Sequence, residues 1–168
     1  MNISMVVAAA TNNAIGLDGK LLWNLPKDMD FFRNITLGHH VLMGRKSWDA
    51  LPDKFRPLPG RTNIVVTRQP NFNPEGCKVV GSIEEGVKFA KDNGEKELMI
   101  IGGGDIYQQA LKQTDTIYLT RVHHSFPEAD AFFPELDMNE WRQTNMEKHQ
   151  ADARHKYDFD FVVYQRKE

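Results

Sequence analysis

The chain is poor in cysteine, in long apolar runs and in net charge, and each shortage closes off a class of protein. Its one thiol, Cys77, cannot form an internal disulfide or a cysteine-only metal site. That suits a reducing compartment, and we expect a cytoplasmic protein. No apolar stretch approaches the roughly 20 residues that a membrane span needs. The opening run of Met1–Ala10 has no basic residue ahead of it and is closed by Thr11-Asn12-Asn13, so we expect no secretory signal there. Lys and Arg (21) nearly balance Asp and Glu (23) and are scattered, which argues against a nucleic-acid partner. No segment repeats, is of low complexity or reads as a linker. A chain of 168 residues is long enough for one domain, 1–168, with a sizeable core.

Reactive groupings are scarce as well. His39-His40 and His123-His124 are sequence neighbours, and His149 and His155 add no helical i,i+4 pair, so no metal is expected. No Ser, Cys or Lys has an obvious activating neighbour for covalent catalysis. Neither the G-x-G-x-x-G fingerprint nor a Walker sequence occurs.

What the chain does have is alternation of strand and helix patterns. Ile3–Ala10, His40–Met43, Ile64–Thr67, Cys77–Val80, Glu97–Ile101 and Thr116–Val122 read as strands. Helices are predicted from Pro26 to about Thr36, from Gly44-Arg45-Lys46-Ser47-Trp48 to near Leu51, from Ser82 to Gly94, and from Gly102-Gly103-Gly104 to about Lys112. Ser82-Ile83-Glu84-Glu85 has capping-box spacing, with Ile83, Val87 and Ala90 expected inward and Phe89 at the margin. Asn12–Lys20, Pro52–Gly60, Gln69–Gly76 and Phe126–Pro134 are predicted loops, the last with Asp130 near its middle. Trp141–Lys148 and Tyr157–Arg166 form a closing antiparallel hairpin. The sum is an α/β domain: a mostly parallel, eight-stranded sheet, helices on both faces and an antiparallel C-terminal edge.

The most informative stretch is Trp23–Ile35. Pro26 suits the first turn of a helix. At 100° per residue, an apolar stripe collects Leu25, Met29, Phe32, Ile35 and Thr36. Asp28 falls inside that stripe, whereas Lys27, Asp30 and Asn34 fall opposite. Asp28 could simply complement the positive helix end, an effect of roughly 0.3–1 kcal/mol. Alternatively it is the acid of a cleft wall that meets a ligand with N–H donors, because a lone buried carboxylate is costly.

Three strand-to-helix or strand-to-loop turns offer a second kind of chemistry. Gly102-Gly103-Gly104 is either a tight turn in a packed fold or a place where backbone and free N–H groups approach an anion. Gly44-Arg45-Lys46-Ser47 and Thr67-Arg68 end other strands in the same sense, where open α/β sheets collect ligands. Together they would suit a phosphate; singly, each reads as solvated surface. Arg61, after Leu58-Pro59-Gly60, could grip a carboxylate bidentately.

These stretches, with Ala14-Ile15-Gly16, Leu21-Leu22-Trp23-Asn24-Leu25-Pro26-Lys27-Asp28 and Ile101-Gly102-Gly103-Gly104-Asp105-Ile106-Tyr107, resemble the motifs of the dihydrofolate reductase family, in that family's order and spacing from Val6 to the final hairpin. The resemblance implies NADPH-dependent reduction of 7,8-dihydrofolate to tetrahydrofolate, a step of one-carbon metabolism, and sensitivity to antifolate inhibitors in what we expect to be a monomer. Asp28 would match the acid that holds the pterin N3 and 2-amino group. Thr120 would match a hydroxyl reaching the same edge through water, and Trp23 an anchor of the loop over the site. Val6, Val7, Met29, Phe32, Ser47, Leu51, Leu58 and Ile101 would match the substrate walls, and Arg61 the clamp on the glutamate α-carboxylate.

For the cofactor, the resemblance implies contacts from Ala8, Ile15, Gly16, Gly44, Ser47, Ile101 and the segment Gly102, Gly103, Gly104, Asp105, Ile106, Tyr107, with a cis peptide between Gly102 and Gly103. Arg45, Lys46, Thr67 and Arg68 would meet the pyrophosphate and the 2′-phosphate, favouring NADPH over NADH. The sequence departs from the family pattern at Leu22, where proline usually precedes the tryptophan, and at Pro52–Pro57, which looks longer than in the shortest bacterial members. Two alternatives stay open. One is a riboflavin-pathway pyrimidine reductase, against which the Trp23…Asp28 pair and Arg61 argue; the other is a silent nucleotide-binding module.

Overall fold

The computed structural model describes residues 1–168, and its strands follow from where β-branched and apolar residues cluster. In chain order the elements are β1 (Asn2–Ala10), β2 (Ala14–Gly16), α1 (Pro26–Thr36), β3 (His40–Gly44), α2 (Arg45–Ala50), β4 (Thr62–Val66), β5 (Cys77–Val80), α3 (Ile83–Asp92), β6 (Glu97–Gly102), α4 (Gly104–Ala110), β7 (Thr116–Val122), β8 (Ala131–Phe132), β9 (Trp141–His149) and β10 (Phe159–Arg166). Eight strands form one sheet in the order β5-β4-β3-β6-β1-β7-β10-β9. The run from β5 to β7 is parallel, and β10 and β9 add an antiparallel edge.

Side-chain alternation along the central strands separates two faces. On one, Met5, Val7, Ala9, Leu42 and Ile64 pack beneath α3 and α4 through Ile83, Ala90, Ile106 and Ala110. On the other, Val6, Val41, Met43, Val65 and Met99 pack with Trp48 of α2, and with Phe32 and Ile35 of α1. A third cluster around Trp23, Leu25, Phe126 and Phe159 closes one end. Helices thus cover both faces. No helix is long and apolar enough to cross a membrane.

One local expectation is corrected and another is extended. The Asn12–Lys20 and Phe126–Pro134 loops are joined by a small ladder of their own, β2 against β8. Strands of three and two residues carry too little alternation to be recognised, and their partners are remote in sequence. In α3 the inward set also takes in Gly86, buried beside Ile83 and Ala90, while Val87 packs half-buried against the same core. The sheet lies so close that a Cβ on Gly86 would stand 2.5 Å from Leu42 Cδ1. Ser82 Oγ accepts from Glu85 N–H as the capping box requires, while the Glu85 carboxylate reaches one residue further back, to Gly81 N–H.

Candidate active site

The site begins with how α1 starts. Its N-cap, Leu25, has extended backbone and no capping side chain, Pro26 brings no N–H, and Leu25 C=O accepts from the N–H groups of both Asp28 and Met29. That first turn aims Asp28 at the sheet, where Thr120 Oγ1 of β7 donates to Asp28 Oδ1 at 2.6 Å. No cation pairs with the carboxylate. Desolvation by burial raises its pKa above the ordinary value, and the Thr120 hydrogen bond opposes this only in part.

The apolar stripe is buried at its ends, Leu25 and Thr36, and only partly covered in the middle, beside Asp28. Met29 is 52% exposed, and Phe32 and Ile35 are half-buried. Val6, Phe32, Leu51, Leu58 and Ile101 join in one cluster facing it. Val7 does not: its side chain turns to the opposite face and packs in the α3–α4 core. Ala8 lies beside Thr120 in the β1–β7 register. Tyr107, fully enclosed, donates its hydroxyl to Val6 C=O at 2.7 Å. Burial first, and then the charge of Asp28, raise the pKa of that phenol.

Beyond the other end of α1, Arg61 donates from Nε to Pro59 C=O at 2.9 Å and from Nη1 to Thr36 Oγ1 at 3.1 Å. It has no protein carboxylate as partner. Partial burial and then the neighbouring charge of Arg33 lower its pKa, which is the setting of a cation still to be neutralised. The sequence gives no sign of Arg33 beside Arg61, because the two cations come near only when the turn after α1 folds back, with Gly38 N–H donating to Gly60 C=O.

Across the sheet, parallel pairing brings the glycine turns together. Gly44 pairs with Val66, and Met43 with Gly102, so the ends of β3, β4 and β6 share one row. Glycine is needed here: Gly102 has φ +113°, and a Cβ on Gly44 would approach Ile106 Cγ1 to 3.0 Å. The Gly102–Gly103 peptide is cis. The Gly104, Asp105 and Ile106 N–H groups at the start of α4 donate to no protein acceptor. Ser47 Oγ lies 3.4 Å from the Cβ position of Gly103, and Ile15 Cδ1 3.8 Å from that of Gly104.

Lys46 and Arg68 are exposed at neighbouring strand ends. Thr67 Oγ1 accepts from Gln69 N–H at 3.2 Å. Arg45 is less free. Its Nε donates to both carboxylate oxygens of Asp49, its Nη1 to Gln69, and its guanidinium stacks 3.8 Å over Phe72.

Between the two halves runs the Ala10–Leu25 segment. Gly16 C=O accepts from Asp130 N–H, and Asp130 Oδ2 accepts from Asp18 N–H, both at 3.1 Å. Trp23 is 9% exposed, with its ring 5.7 Å from Phe126. Leu22 is half-buried against the same cluster. A separate groove of ≈ 590 Å³, lined in part by Arg121, Phe133 and Tyr164, opens on the α4 face and takes no part in this site.

A half-buried acid whose side-chain partner is a lone hydroxyl, and a glycine-lined turn with free N–H groups at strand ends nearby in the same sheet, are the arrangement of a small two-ligand enzyme. A sequence model of the family described as dihydrofolate reductase matches residues 2–166. The chain is 38% identical over 165 residues to the dihydrofolate reductase of Bacillus subtilis, covering 98% of this chain and 95% of that protein. It is 41% identical over 167 residues to the Haemophilus influenzae dihydrofolate reductase, covering 99% and 100%. A solved structure of the Enterococcus faecalis dihydrofolate reductase, complexed with NADP(H) and RAB-propyl, superposes with a TM-score of 0.90 at 33% identity, over 99% of this chain and 97% of that one. The chain belongs to the dihydrofolate reductase family.

Proposed function

We infer that the chain reduces 7,8-dihydrofolate to tetrahydrofolate with NADPH, and that Asp28 is the residue that seats the pterin. The single observation that carries the site assignment is an acid inside an apolar stripe whose only protein partner is the Thr120 hydroxyl. A pterin edge offers the N–H donors that this carboxylate lacks. The unpaired guanidinium of Arg61 supports a carboxylate at the far end of the same ligand. Val6, Phe32, Leu51, Leu58 and Ile101 supply apolar contact for the rings between them, and Met29 reaches in from the exposed side. Val7 contributes through its backbone only.

The cofactor half fits as well: the glycine row admits close approach, free N–H groups lie at the start of α4, and Lys46 and Arg68 supply positive charge. Arg45 joins them only as a cation already braced by Asp49. When bound, NADPH supplies hydride from its nicotinamide to C6 of the substrate. Ala8, Ile15 and the Gly102–Gly104 turn would hold the nicotinamide ring against the pterin. Asp28 holds the far pterin edge, so it orients and polarises the ring while a water beside the Ile15–Trp23 segment protonates N5. The riboflavin-type alternative is not favoured, since the family match spans the whole chain. Three apolar clusters on one sheet support a single domain, and the lone free thiol suits a reducing compartment such as the cytoplasm.

Oxidation of NADPH in the presence of dihydrofolate, followed by loss of the reduced-nicotinamide absorbance, tests this directly. The natural chain is expected to turn over, and Asp28→Asn to lose about 10²-fold or more at neutral pH while binding NADPH unchanged. Unaltered turnover, or collapsed cofactor binding, would remove Asp28 from the role.

A further inference from the structure

We propose that His155 is a positioning residue for Asp28, capping α1 from the opposite end of the chain; this rests on Asp28 being the pterin acid. Because Pro26 has no N–H, and those of Asp28 and Met29 turn to Leu25 C=O, the first turn of α1 has one amide left over, that of Lys27. His155 Nε2 accepts it at 3.1 Å. A backbone amide can only donate, so Nε2 carries the lone pair and the proton sits on Nδ1, which donates to Asp152 Oδ1 at 2.8 Å.

The imidazole is held rather than merely present. It is 5% exposed, with its ring 5.3 Å from Phe159. The turn that presents it is cross-braced: Asp152 and His155 exchange backbone hydrogen bonds, Asp152 Oδ1 also accepts from Arg154 N–H, and Asp158 Oδ1 accepts from Ala151 N–H. The same hairpin reaches the site a second way. Phe161 of β10 pairs in register with Thr120, and its ring stacks 4.5 Å from Phe31 of α1. Both anchors of the acid, the Thr120 hydroxyl and the capped first turn, are therefore set by one rigid frame. Without the Nε2 acceptor, the turn next to Asp28 frays and the carboxylate loses its alignment with the ring. The cofactor cradle, on β3, β4 and β6, stays out of reach.

Steady-state kinetics of His155→Ala and His155→Gln test this, since Gln can present an acceptor oxygen near the position of Nε2. In His155→Ala the KM for dihydrofolate is expected to rise about fivefold to tenfold, as loss of one cap and a small misplacement of the acid would cause. The KM for NADPH stays within about twofold, and Gln restores most of the loss. An Ala variant with an unchanged KM for dihydrofolate, an equal rise in both KM values, or no rescue by Gln would overturn the proposal. Should the Ala variant not fold, nitrogen-15 NMR of the imidazoles in the natural chain decides: a protonated Nδ1 on His155 is required, and a protonated Nε2 overturns it. If the natural chain does not consume NADPH with dihydrofolate, the substrate reading fails instead, and the NMR result still reports on the cap.

Discussion

Asp28 illustrates how a functional residue weighs on the chain that carries it. Its folded pKa is raised, so the unliganded protein binds that proton more tightly than the unfolded chain does. By linkage its stability falls as pH rises from the ordinary aspartate value through the raised folded one, and levels off above. Asp28→Asn abolishes this loss. The variant is therefore expected to be at least as resistant to urea at neutral pH as the natural chain, while turnover drops. A clearly lower urea midpoint for the variant would show that the charge is stabilised by something other than Thr120. The stripe that exposes this acid as unusual is readable from sequence by angle alone. That Thr120 answers it is not readable from periodicity and came only from the family resemblance, because the two meet only when β7 is placed beside β1.

At the level of elements, close approach and tethering decide what can change. In α3, Gly86 sits against Leu42 and Ile64, both without exposed surface, so an added methyl has no room to displace them. Gly86→Ala would gain about 1 kcal/mol of helix propensity and lose about 1–3 kcal/mol to overpacking. The expected result is a lower thermal midpoint, measurable by circular dichroism. The segment over the site is held by the β2–β8 ladder and by Asp130. Asp130→Ala releases the Asp18 amide but leaves the Asp130 N–H bond to Gly16. Global stability should change by about 0.5 kcal/mol or less, while the KM for NADPH rises as Ile15 loses its fixed place over the glycine turn. Unchanged cofactor affinity would mean that the ladder alone holds the segment.

Across the whole molecule, acid stability gathers at the strand ends remote from the site. The Glu95 side chain, 7% exposed, sits where the chain enters β3 and β6. Burial by itself would raise its pKa, but donors from His39 Nδ1, His40 N–H, His40 Nδ1 and Glu97 N–H outweigh that and lower it to about 2. A depressed carboxylate contributes stability that is full above its unfolded value of 4.5 and is lost as pH falls toward 2. Glu95→Gln should cost about 1–3 kcal/mol at neutral pH by leaving donors poorly matched. Its stability should also vary less with acidification, as denaturant titrations at stepped pH would show.

At this same scale the division of labour between sequence and fold is clear. Apolar periodicity, Pro26, Ser82 and the glycine turns determined every element but the short strands β2 and β8, because those signals are local: each acts through the backbone within a few residues. They also marked Asp28 and the glycine row as places where chemistry could sit. The tertiary structure decided the rest, chiefly through contacts between residues remote in sequence. Val7 faces away from the site because β1 presents alternate residues to opposite faces. Gln69 reaches back to Arg45, Asp130 ties down the segment over the site, and His155 caps a helix more than a hundred residues upstream. Such pairings leave no periodic trace in the chain, since neither partner's neighbours need differ for the bond to form.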